Sequence, residues 1–276
     1  MNKIFIVGCP RSGTTIIQKI LGARDDVYTC KETHYFQKIR RKGKGKLIDY
    51  LILSNGNVIS AYNFIEVHNC LLEDYDHRRI YTIKAATLFF DHLMTSEARV
   101  REKTTWVEKT PAHLFFVKLI QKQIKSAQFI HVLRDGRDVI ASLVDAAKRN
   151  PKSPAWKGNL DLNVAIGTYN KYLNESIKYF GSEGHIFFKY ESLIDNSEQS
   201  IENLYQMIGF EEGYYPLDYD AVHKKVVRND EVWKRAPSGR IKDTRLIKFN
   251  KIFNESDKQL IIDGITKPSI NIMNNS

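Results

Sequence analysis

The chain has 276 residues, of which 42% are hydrophobic and 27% are charged, a balance typical of a folded globular protein. It contains no run of the ~18 consecutive apolar residues that a membrane-spanning helix requires, and its 3 cysteines are too few for a disulfide framework. The chain runs directly into the apolar stretch 3–8 without the features of a signal peptide. These features argue against a secreted scaffold, a membrane protein and a repeat protein, and they favour a cytoplasmic chain.

The 42 basic side chains outnumber the 32 acidic ones and give a formal net charge of +10. Such a surplus is compatible with three kinds of anionic partner: a nucleic acid, an acidic glycan or a phosphorylated cofactor. A lysine-rich surface without any such partner has the same composition. Net charge therefore selects no function by itself.

Short β-branched or aromatic runs alternate along the chain with segments whose apolar residues recur at helical spacing. This alternation is typical of an α/β fold in which a central parallel sheet is flanked by crossover helices. We expect residues 1–276 to form a single domain of this kind. The predicted strands are Ile4–Val7, Val27–Cys30, Ile80–Lys84, Trp106–Glu108, Phe129–Leu133 and His185–Tyr190. The predicted helices are Thr14–Gly22, Pro111–Ile124, Asp138–Arg149 and Leu162–Phe180.

Between the first predicted strand and the first helix lies the loop Gly8-Cys-Pro-Arg-Ser-Gly-Thr-Thr15. The backbone N–H groups of such a loop, together with the start of the following helix, can bind an oxyanion. The spacing of Gly8 and Gly13 matches the nucleotide P-loop, but Thr14 occupies the position of the P-loop lysine. The missing lysine argues against ordinary ATP or GTP hydrolysis. Arg11, inside the loop, supplies a different cation for anionic oxygens.

A second motif follows the predicted strand Phe129–Leu133, which delivers Arg134 at its carboxyl end, where α/β sheets bind ligands. Asp135 and Gly136 then form a turn, and Ser142 falls on the next helix. An arginine at a strand end and a serine on the following helix can bind a second phosphate together. The same spacing is also compatible with a salt-bridged arginine and an exposed serine.

Together the two motifs resemble those of the sulfotransferases that use 3′-phosphoadenosine-5′-phosphosulfate (PAPS) and release 3′,5′-bisphosphoadenosine (PAP). The segment Pro10-Arg-Ser-Gly-Thr-Thr15 is most similar to the branch with tyrosylprotein sulfotransferases and related bacterial and glycan enzymes. The resemblance implies a P-loop-like, three-layer α/β domain. It also implies that the first loop binds the 5′-phosphosulfate and that Arg134 and Ser142 bind the 3′-phosphate.

Further segments resemble the family's motifs and follow in the family's order: residues 27–33, 108–111, 189–193 and 235–242. By this resemblance Glu32 is the catalytic base, and Lys109 acts on the transferred sulfuryl group. Tyr190 matches a cofactor-contacting tyrosine, and the segment 235–242 resembles the late loop that closes over the nucleotide. The implied cofactor-binding residues are Arg11, Ser12, Gly13, Thr14, Thr15, Arg134, Ser142, Tyr190, Arg235, Ser238 and Lys242.

Sulfuryl transfer requires a positive field around the transferred group, which is negatively charged. It also requires a base, because an acceptor hydroxyl has a pKa far above 7. We expect Arg11, Lys109 and the loop N–H groups to provide the field. Glu32 is the preferred base, although a carboxylate that merely pairs with Lys31 or His34 fits the same sequence. The other candidates for the base are Glu108 as the main rival, His34, His113 and His131, of which His131 lies in an apolar strand typical of a core histidine.

The motifs therefore indicate a sulfotransferase that acts on a hydroxyl of a carbohydrate or another small molecule. Ala146 stands where tyrosylprotein enzymes carry a further arginine, which argues against a protein-tyrosine substrate. The alternatives are a P-loop kinase for small molecules, a protein-tyrosine sulfotransferase and a polyanion-binding protein, and no nucleic-acid-binding signature supports the last of these. The 8 histidines and 3 cysteines show no paired ligand spacing, so no metal is expected. We expect neither a nucleic-acid partner nor a membrane span.

Overall fold

The protein's structure, a computed structural model, describes residues 1–39, 55–69, 71, 80–153, 156–210 and 243–267. Continuous apolar runs in these ranges form strands, because such runs suit a sheet that is covered on both faces. In the first strand, for example, the side chains of residues 4–7 are completely buried. The strands are β1 (Asn2–Gly8), β2 (Val27–Thr29), β3 (Thr105–Lys109), β4 (Ala127–Leu133) and β5 (His185–Lys189).

The strand order in the sheet is β2-β3-β1-β4-β5, and β3 pairs in parallel with both β1 and β2. The chain places β2 and β3 on one side of β1 and then crosses to place β4 and β5 on the other. Ligands of α/β sheets bind at the carboxyl ends of strands where such a reversal occurs. The loop that begins at Gly8 leaves β1 at this end, and Ile6 of β1 is in register with Lys109 at the end of β3.

Helices flank the parallel sheet, which confirms the predicted α/β fold class. The predicted helix Pro111–Ile124 is divided into a 3₁₀ segment, Pro111–Phe116, and a short α-helix. None of the helices in the described ranges is long and apolar enough to cross a membrane. They are α1 (Thr14–Gly22), α2 (Tyr35–Ile39), α3 (Asn55–Asn69), α4 (Ile83–Val100), α5 (Val117–Gln123), α6 (Gly136–Arg149), α7 (Leu162–Ile177), α8 (Tyr190–Asp195), α9 (Ser197–Ile208), α10 (Ile247–Ile252) and α11 (Glu255–Gly264).

The predicted strand Ile80–Lys84 is wrong, because this segment leads into the long helix α4. Thr82 is the N-cap residue, and its side-chain oxygen accepts a hydrogen bond from the backbone N–H of Ala85 at 3.1 Å. The helix then buries Phe90 and Leu93 on one face. A short β-branched run that precedes a helical apolar pattern is ambiguous, and here the cap and the long pattern prevail.

The described residues group into two compact units. The first unit comprises those within Met1–Ile6 and Thr15–Phe129, and the second those within Val7–Thr14, Ile130–Tyr214 and Ala236–Ser276. That residues 1–276 work as one domain stays a prediction.

Each unit has an apolar core of its own. In the first unit Phe5 stacks on Phe129 with ring centroids 5.4 Å apart and meets the edge of Trp106 at 5.2 Å. In the second unit α6 buries Val139 and Ile140 and contacts α7 and α10. Both cores hold the ends of strands from which the candidate site residues project.

Candidate active site

The loop after β1 belongs to the second unit and depends on glycine at two positions. Gly8, Arg11 and Gly13 have φ angles of +145°, +76° and +102°. A Cβ atom on Gly13 would lie 2.3 Å from Cδ2 of Tyr190, and a Cβ on Gly8 would lie 2.7 Å from the carbonyl oxygen of Val132. A larger residue at either position would therefore be strained in its backbone and would collide with a neighbour.

Hydroxyl groups lie where this loop enters α1. Ser12 and Thr14 are buried, with exposures of 1% and 4%. Within the described part of the chain, the Ser12 Oγ atom has no hydrogen-bond partner. Thr14 and Thr15 begin α1, where the first backbone N–H groups lack intrahelical acceptors. A buried hydroxyl without a partner beside a helix start is suited to an anionic ligand.

Arg11, Arg134 and Ser142 come together in the second unit, although the sequence motifs assigned them to two different phosphates. The Arg11 Nε donates a hydrogen bond to the Ser142 Oγ at 3.0 Å. The Arg134 Nη1 donates to the carbonyl oxygen of Arg11 at 3.4 Å. The loop arginine, predicted for the 5′-phosphosulfate, thus contacts the serine predicted for the 3′-phosphate.

Arg134 is held in place by an aromatic ring and a carboxylate. Its guanidinium carbon lies 4.3 Å from the centroid of the Tyr190 ring, which fits a cation–π contact. Its Nη2 lies 3.6 Å from Oδ2 of Asp138, whose Oδ1 accepts the backbone N–H of Leu246 at 2.9 Å. Burial raises the pKa of the Tyr190 hydroxyl and keeps it neutral. The Arg134 Nε is buried and, among the residues described, has no hydrogen-bond partner.

Glu32 and Lys109 form a buried ion pair in the first unit. Lys109 has no solvent exposure, and its Nζ donates a hydrogen bond to Oε1 of Glu32. The other carboxylate oxygen, Oε2, lies 3.3 Å from Nε2 of His34, whose side chain is 32% exposed. The pairing of Glu32 with His34 that the sequence suggested therefore coexists with a contact to Lys109. Because the pair is buried, its mutual attraction is stronger than that of a surface pair.

Glu108, the rival base, accepts hydrogen bonds at both carboxylate oxygens. Oε1 accepts from the Thr33 hydroxyl at 2.9 Å, the Thr33 backbone N–H at 3.3 Å and the Thr110 hydroxyl at 2.6 Å. Oε2 lies 2.8 Å from Nδ1 of His113. Burial acts to raise the pKa of Glu108, but the charge of His113 and the bonds from His113, Thr110 and Thr33 outweigh it and lower the pKa. Glu108 is therefore an ionised, enclosed carboxylate.

The structure thus brings most of the described candidates into two groups, one in each unit, and Thr15 belongs to the first unit whereas the loop residues before it belong to the second. Arg235, Ser238 and Lys242 lie outside the described residues. His131 is buried in β4, where its Nε2 lies 2.9 Å from Nδ1 of His185.

Sequence reasoning missed three supporting residues: Thr33, Thr110 and Asp138. Thr33 and Thr110 carry no signal of their own, because a threonine beside a motif residue is common. Asp138 lies four positions after Arg134, but Arg134 precedes the helix, so the helical spacing of opposite charges gave no signal for it.

Relatives of this chain among known proteins include a sulfotransferase and an uncharacterized protein. Omega-hydroxy-beta-dihydromenaquinone-9 sulfotransferase Stf3 of Mycobacterium bovis is 28% identical over a match that covers 75% of this chain and 62% of that protein. An uncharacterized protein of Aquifex aeolicus is 30% identical over 139 residues, which are 50% of this chain and 16% of that protein. The chain thus spans less than two thirds of the length of either relative.

Solved structures with the same fold carry sulfotransferase names. The sulfotransferase domain from the curacin biosynthetic pathway superposes with a TM-score of 0.56 at 15% identity, covering 97% of this chain and 99% of that one. Mouse sulfotransferase SULT7A1, complexed with PAP, gives 0.53 at 14% identity, covering 100% of this chain and 85% of that one. At such identities the likeness concerns the fold alone. Membership rests on the family model, described as the sulfotransferase family, which matches residues 3–213. More than half of the chain is matched, and the chain belongs to the sulfotransferase family.

Proposed function

We propose that this protein, working as a single domain over residues 1–276, transfers the sulfuryl group of PAPS to a hydroxyl of a carbohydrate or another small molecule. Glu32 is the proposed base. The observation that carries the proposal is the meeting of Arg11, Arg134 and Ser142, in which the Arg11 guanidinium contacts the Ser142 hydroxyl and the Arg134 guanidinium contacts the Arg11 backbone. PAPS carries two separate anionic groups, and arginines bind such oxygens through paired N–H donors.

The residues present fit this donor. The Ser12 Oγ and the Arg134 Nε are buried donors whose partners are missing from the described residues, and buried polar groups of this kind are usually satisfied. We assign Arg134, Ser142 and Tyr190 to the 3′-phosphate side. The proposed contacts of the 5′-phosphosulfate are the loop and helix-start residues Arg11, Ser12, Gly13, Thr14 and Thr15. Arg235, Ser238 and Lys242 stay part of the proposal by family resemblance.

When bound, PAPS supplies the sulfuryl group and a stable leaving group, PAP. The Glu32 carboxylate is proposed to accept the proton of the attacking hydroxyl, which raises the nucleophilicity of the oxygen. Lys109 holds the Glu32 carboxylate in place through its ion pair, and its positive charge is proposed to stabilise the negative charge of the transferred group. Arg11 is proposed to add to the same field.

Glu32 is preferred to Glu108 as the base because of their hydrogen bonds. Glu108 accepts three hydrogen bonds at Oε1 and faces His113 at Oε2, which lowers its pKa and its readiness to accept a proton. A hydroxyl acceptor is supported by the relative from Mycobacterium bovis, whose name describes an omega-hydroxy compound as its substrate.

The first experiment is calorimetric titration of the protein with PAP, with ADP and ATP–Mg²⁺ as comparison ligands. We expect PAP to bind and the other two to bind far more weakly. Arg134→Ala should weaken PAP binding by about 10–100-fold, the loss that follows when a hydrogen bond to a charged group is removed. The matched control is Arg149→Ala, an exposed arginine on the neighbouring helix α6, which should bind PAP normally. A preference for ATP–Mg²⁺ would overturn the proposal in favour of a kinase.

A screen with PAPS carrying a labelled sulfuryl group then identifies the acceptor. The panel contains oligosaccharides, lipid alcohols and tyrosine peptides. We expect transfer to a saccharide or a small alcohol, and exclusive transfer to the peptides would contradict this part of the proposal.

A further inference from the structure

The proposed base lies in a segment that has little backbone support of its own. Residues 30–34 connect β2 to α2 and belong to neither a helix nor a strand. His34, at the end of this segment, has a φ angle of +49°, a left-handed conformation that is uncommon outside glycine. The position of Glu32 therefore depends on side chains that fix the segment.

Three successive residues of this segment are each attached to the end of β3 or the residue that follows it. Glu32 contacts Lys109 as described above. The Thr33 hydroxyl and backbone N–H both donate to Glu108. The backbone N–H of His34 donates to the Thr110 hydroxyl at 3.3 Å. Contacts to side chains thus hold this segment against the end of β3, as backbone hydrogen bonds hold neighbouring strands together.

Glu108 is central to this set of contacts. Its Oε1 accepts hydrogen bonds from the Thr33 hydroxyl and from the Thr110 hydroxyl. The Thr110 hydroxyl in turn accepts the hydrogen bond from the backbone N–H of His34. Glu108 and Thr33 have no solvent exposure, so water cannot replace either partner. On the other side of the carboxylate, His113 lies edge-on to Phe36 at 4.9 Å between ring centroids, and this packing limits its movement.

We propose that Glu108 is a positioning residue for the base: through Thr33 and Thr110 it holds the 32–34 segment so that the Glu32 carboxylate stays at Lys109. This inference rests on the proposed function, since it assumes that Glu32 is the base. Glu108 itself takes up no proton in the reaction. Its contribution is geometric, and misplacement of a reacting group by about 1 Å can cost about 100-fold in rate.

Conservative variants separate this role from that of a base. Glu108→Gln keeps a carbonyl oxygen that Thr33 and Thr110 can still use, so we expect kcat within about 5-fold of wild type. Glu108→Met removes the acceptor and should lower kcat by about 100-fold. Thr33→Val removes the hydroxyl with little change of shape and should cost about 10-fold, whereas Thr33→Ser retains it and should restore activity. The KM for PAPS and the affinity for PAP should be unchanged in all four.

The kinetic readout is release of PAP from saturating PAPS with the fastest hydroxyl acceptor of the screen. A second readout needs neither ligand: NMR of the protein labelled with ¹³C at the glutamate side-chain carboxyls, with the Glu32 signal assigned by its loss in Glu32→Gln. We expect Thr33→Val to shift the Glu32 signal toward that of a solvent-exposed glutamate, and Thr33→Ser to leave it in place. In the Glu32→Gln background Thr33→Val should cause no further loss of kcat, because both act through one group.

The experiments distinguish a failure of the proposed function from a failure of the positioning role of Glu108 alone. Absence of PAP binding, or full activity of Glu32→Gln, contradicts the proposed function. If instead Glu32→Gln is inactive while Thr33→Val has normal kcat and an unshifted Glu32 signal, only the positioning role is overturned. Complete loss of activity in Glu108→Gln together with an active Glu32→Gln identifies Glu108 as the base and refutes both. The threonine variants keep the test decisive if Glu108→Met does not fold.

Discussion

The two groups of candidate residues differ in how completely their charged side chains are bonded, although in the first group Nε2 of His113 also has no partner among the described residues. In the second unit, the Ser12 Oγ and the Arg134 Nε are buried without a partner in the described ranges. In the first unit, Glu108 receives hydrogen bonds at both oxygens, and Glu32 contacts Lys109 and His34. The first unit holds its carboxylates by side chains, whereas the second presents donors around a glycine-bearing loop.

This difference fits two different tasks. A group that binds a large anion needs donors that the protein itself leaves available, because these donors must bond to the ligand. A group that orients a base needs the opposite, since a carboxylate with alternative positions is poorly aligned with its substrate. The contrast predicts that substitutions in the second unit change donor affinity, whereas substitutions in the first change the rate at constant affinity.

The largest effect is expected from Glu32→Gln in the first unit. Loss of a positioned general base lowers kcat by about 10²–10⁴-fold, while the affinity for PAP measured by calorimetry stays at the wild-type value. The matched control is Glu202→Gln, an exposed glutamate on α9, which should be fully active. A comparable loss of PAP affinity in Glu32→Gln would contradict the prediction that the first group affects the rate and the second group affects the affinity.

A smaller effect is expected from Gly13→Ala in the second unit. The added Cβ would lie 2.3 Å from the Tyr190 ring on a backbone with φ +102°, so the loop or the ring must move. We expect PAP affinity to fall by about 10-fold or more, and the free energy of unfolding to fall by about 2 kcal/mol or more.

Gly181→Ala is the control for this variant. Gly181 also has a positive φ, +73°, but a Cβ there would meet nothing within 4 Å. It should therefore lose only about 1–2 kcal/mol from backbone strain, with unchanged PAP affinity. Equal PAP affinities in the two variants would show that the contact between Gly13 and Tyr190 does not shape the loop.

The smallest effect concerns the pH dependence of stability, which also separates the two units. In the second unit burial, together with the neighbouring His185, lowers the pKa of His131 from 6.5 to about 3. The unfolded chain takes up this proton below pH 6.5 and the folded chain does not, so stability present above pH 6.5 is lost as the pH falls toward 3. In the first unit the lowered pKa of Glu108 reduces stability only as the pH falls below about 4.5.

Urea unfolding between pH 7 and pH 5 tests this difference. The free energy of unfolding should fall by up to about 1.4 kcal/mol per pH unit through His131. His131→Phe should make the curve shallower, and the slope that remains should come from His185, whose pKa burial lowers to about 4. An unchanged slope in His131→Phe would contradict the contribution assigned to His131.

Patterns of adjacent residues were sufficient for most of the fold. All five strands of the described ranges overlap predicted ones, because they contain short β-branched or aromatic runs, of which Ile4–Val7 is continuously apolar. The segment Ile80–Lys84 failed for the same reason that the others succeeded: a short β-branched run predicts a strand until a cap residue such as Thr82 starts a helix. The division of Pro111–Ile124 into two helical types also left no trace in the apolar spacing.

The sequence by itself determined the fold class and membership of the sulfotransferase family, because loop glycines, strand ends and helix starts are encoded in neighbouring residues. It also named Arg11, Arg134 and Ser142 as candidate phosphate ligands, but in two separate motifs. Only the tertiary structure decided that the loop arginine contacts Ser142, 131 positions away in the chain, and that Glu108 binds Thr33 across 75 positions. Contacts at such separations depend on how the strands are ordered in the sheet, and no local pattern encodes that order.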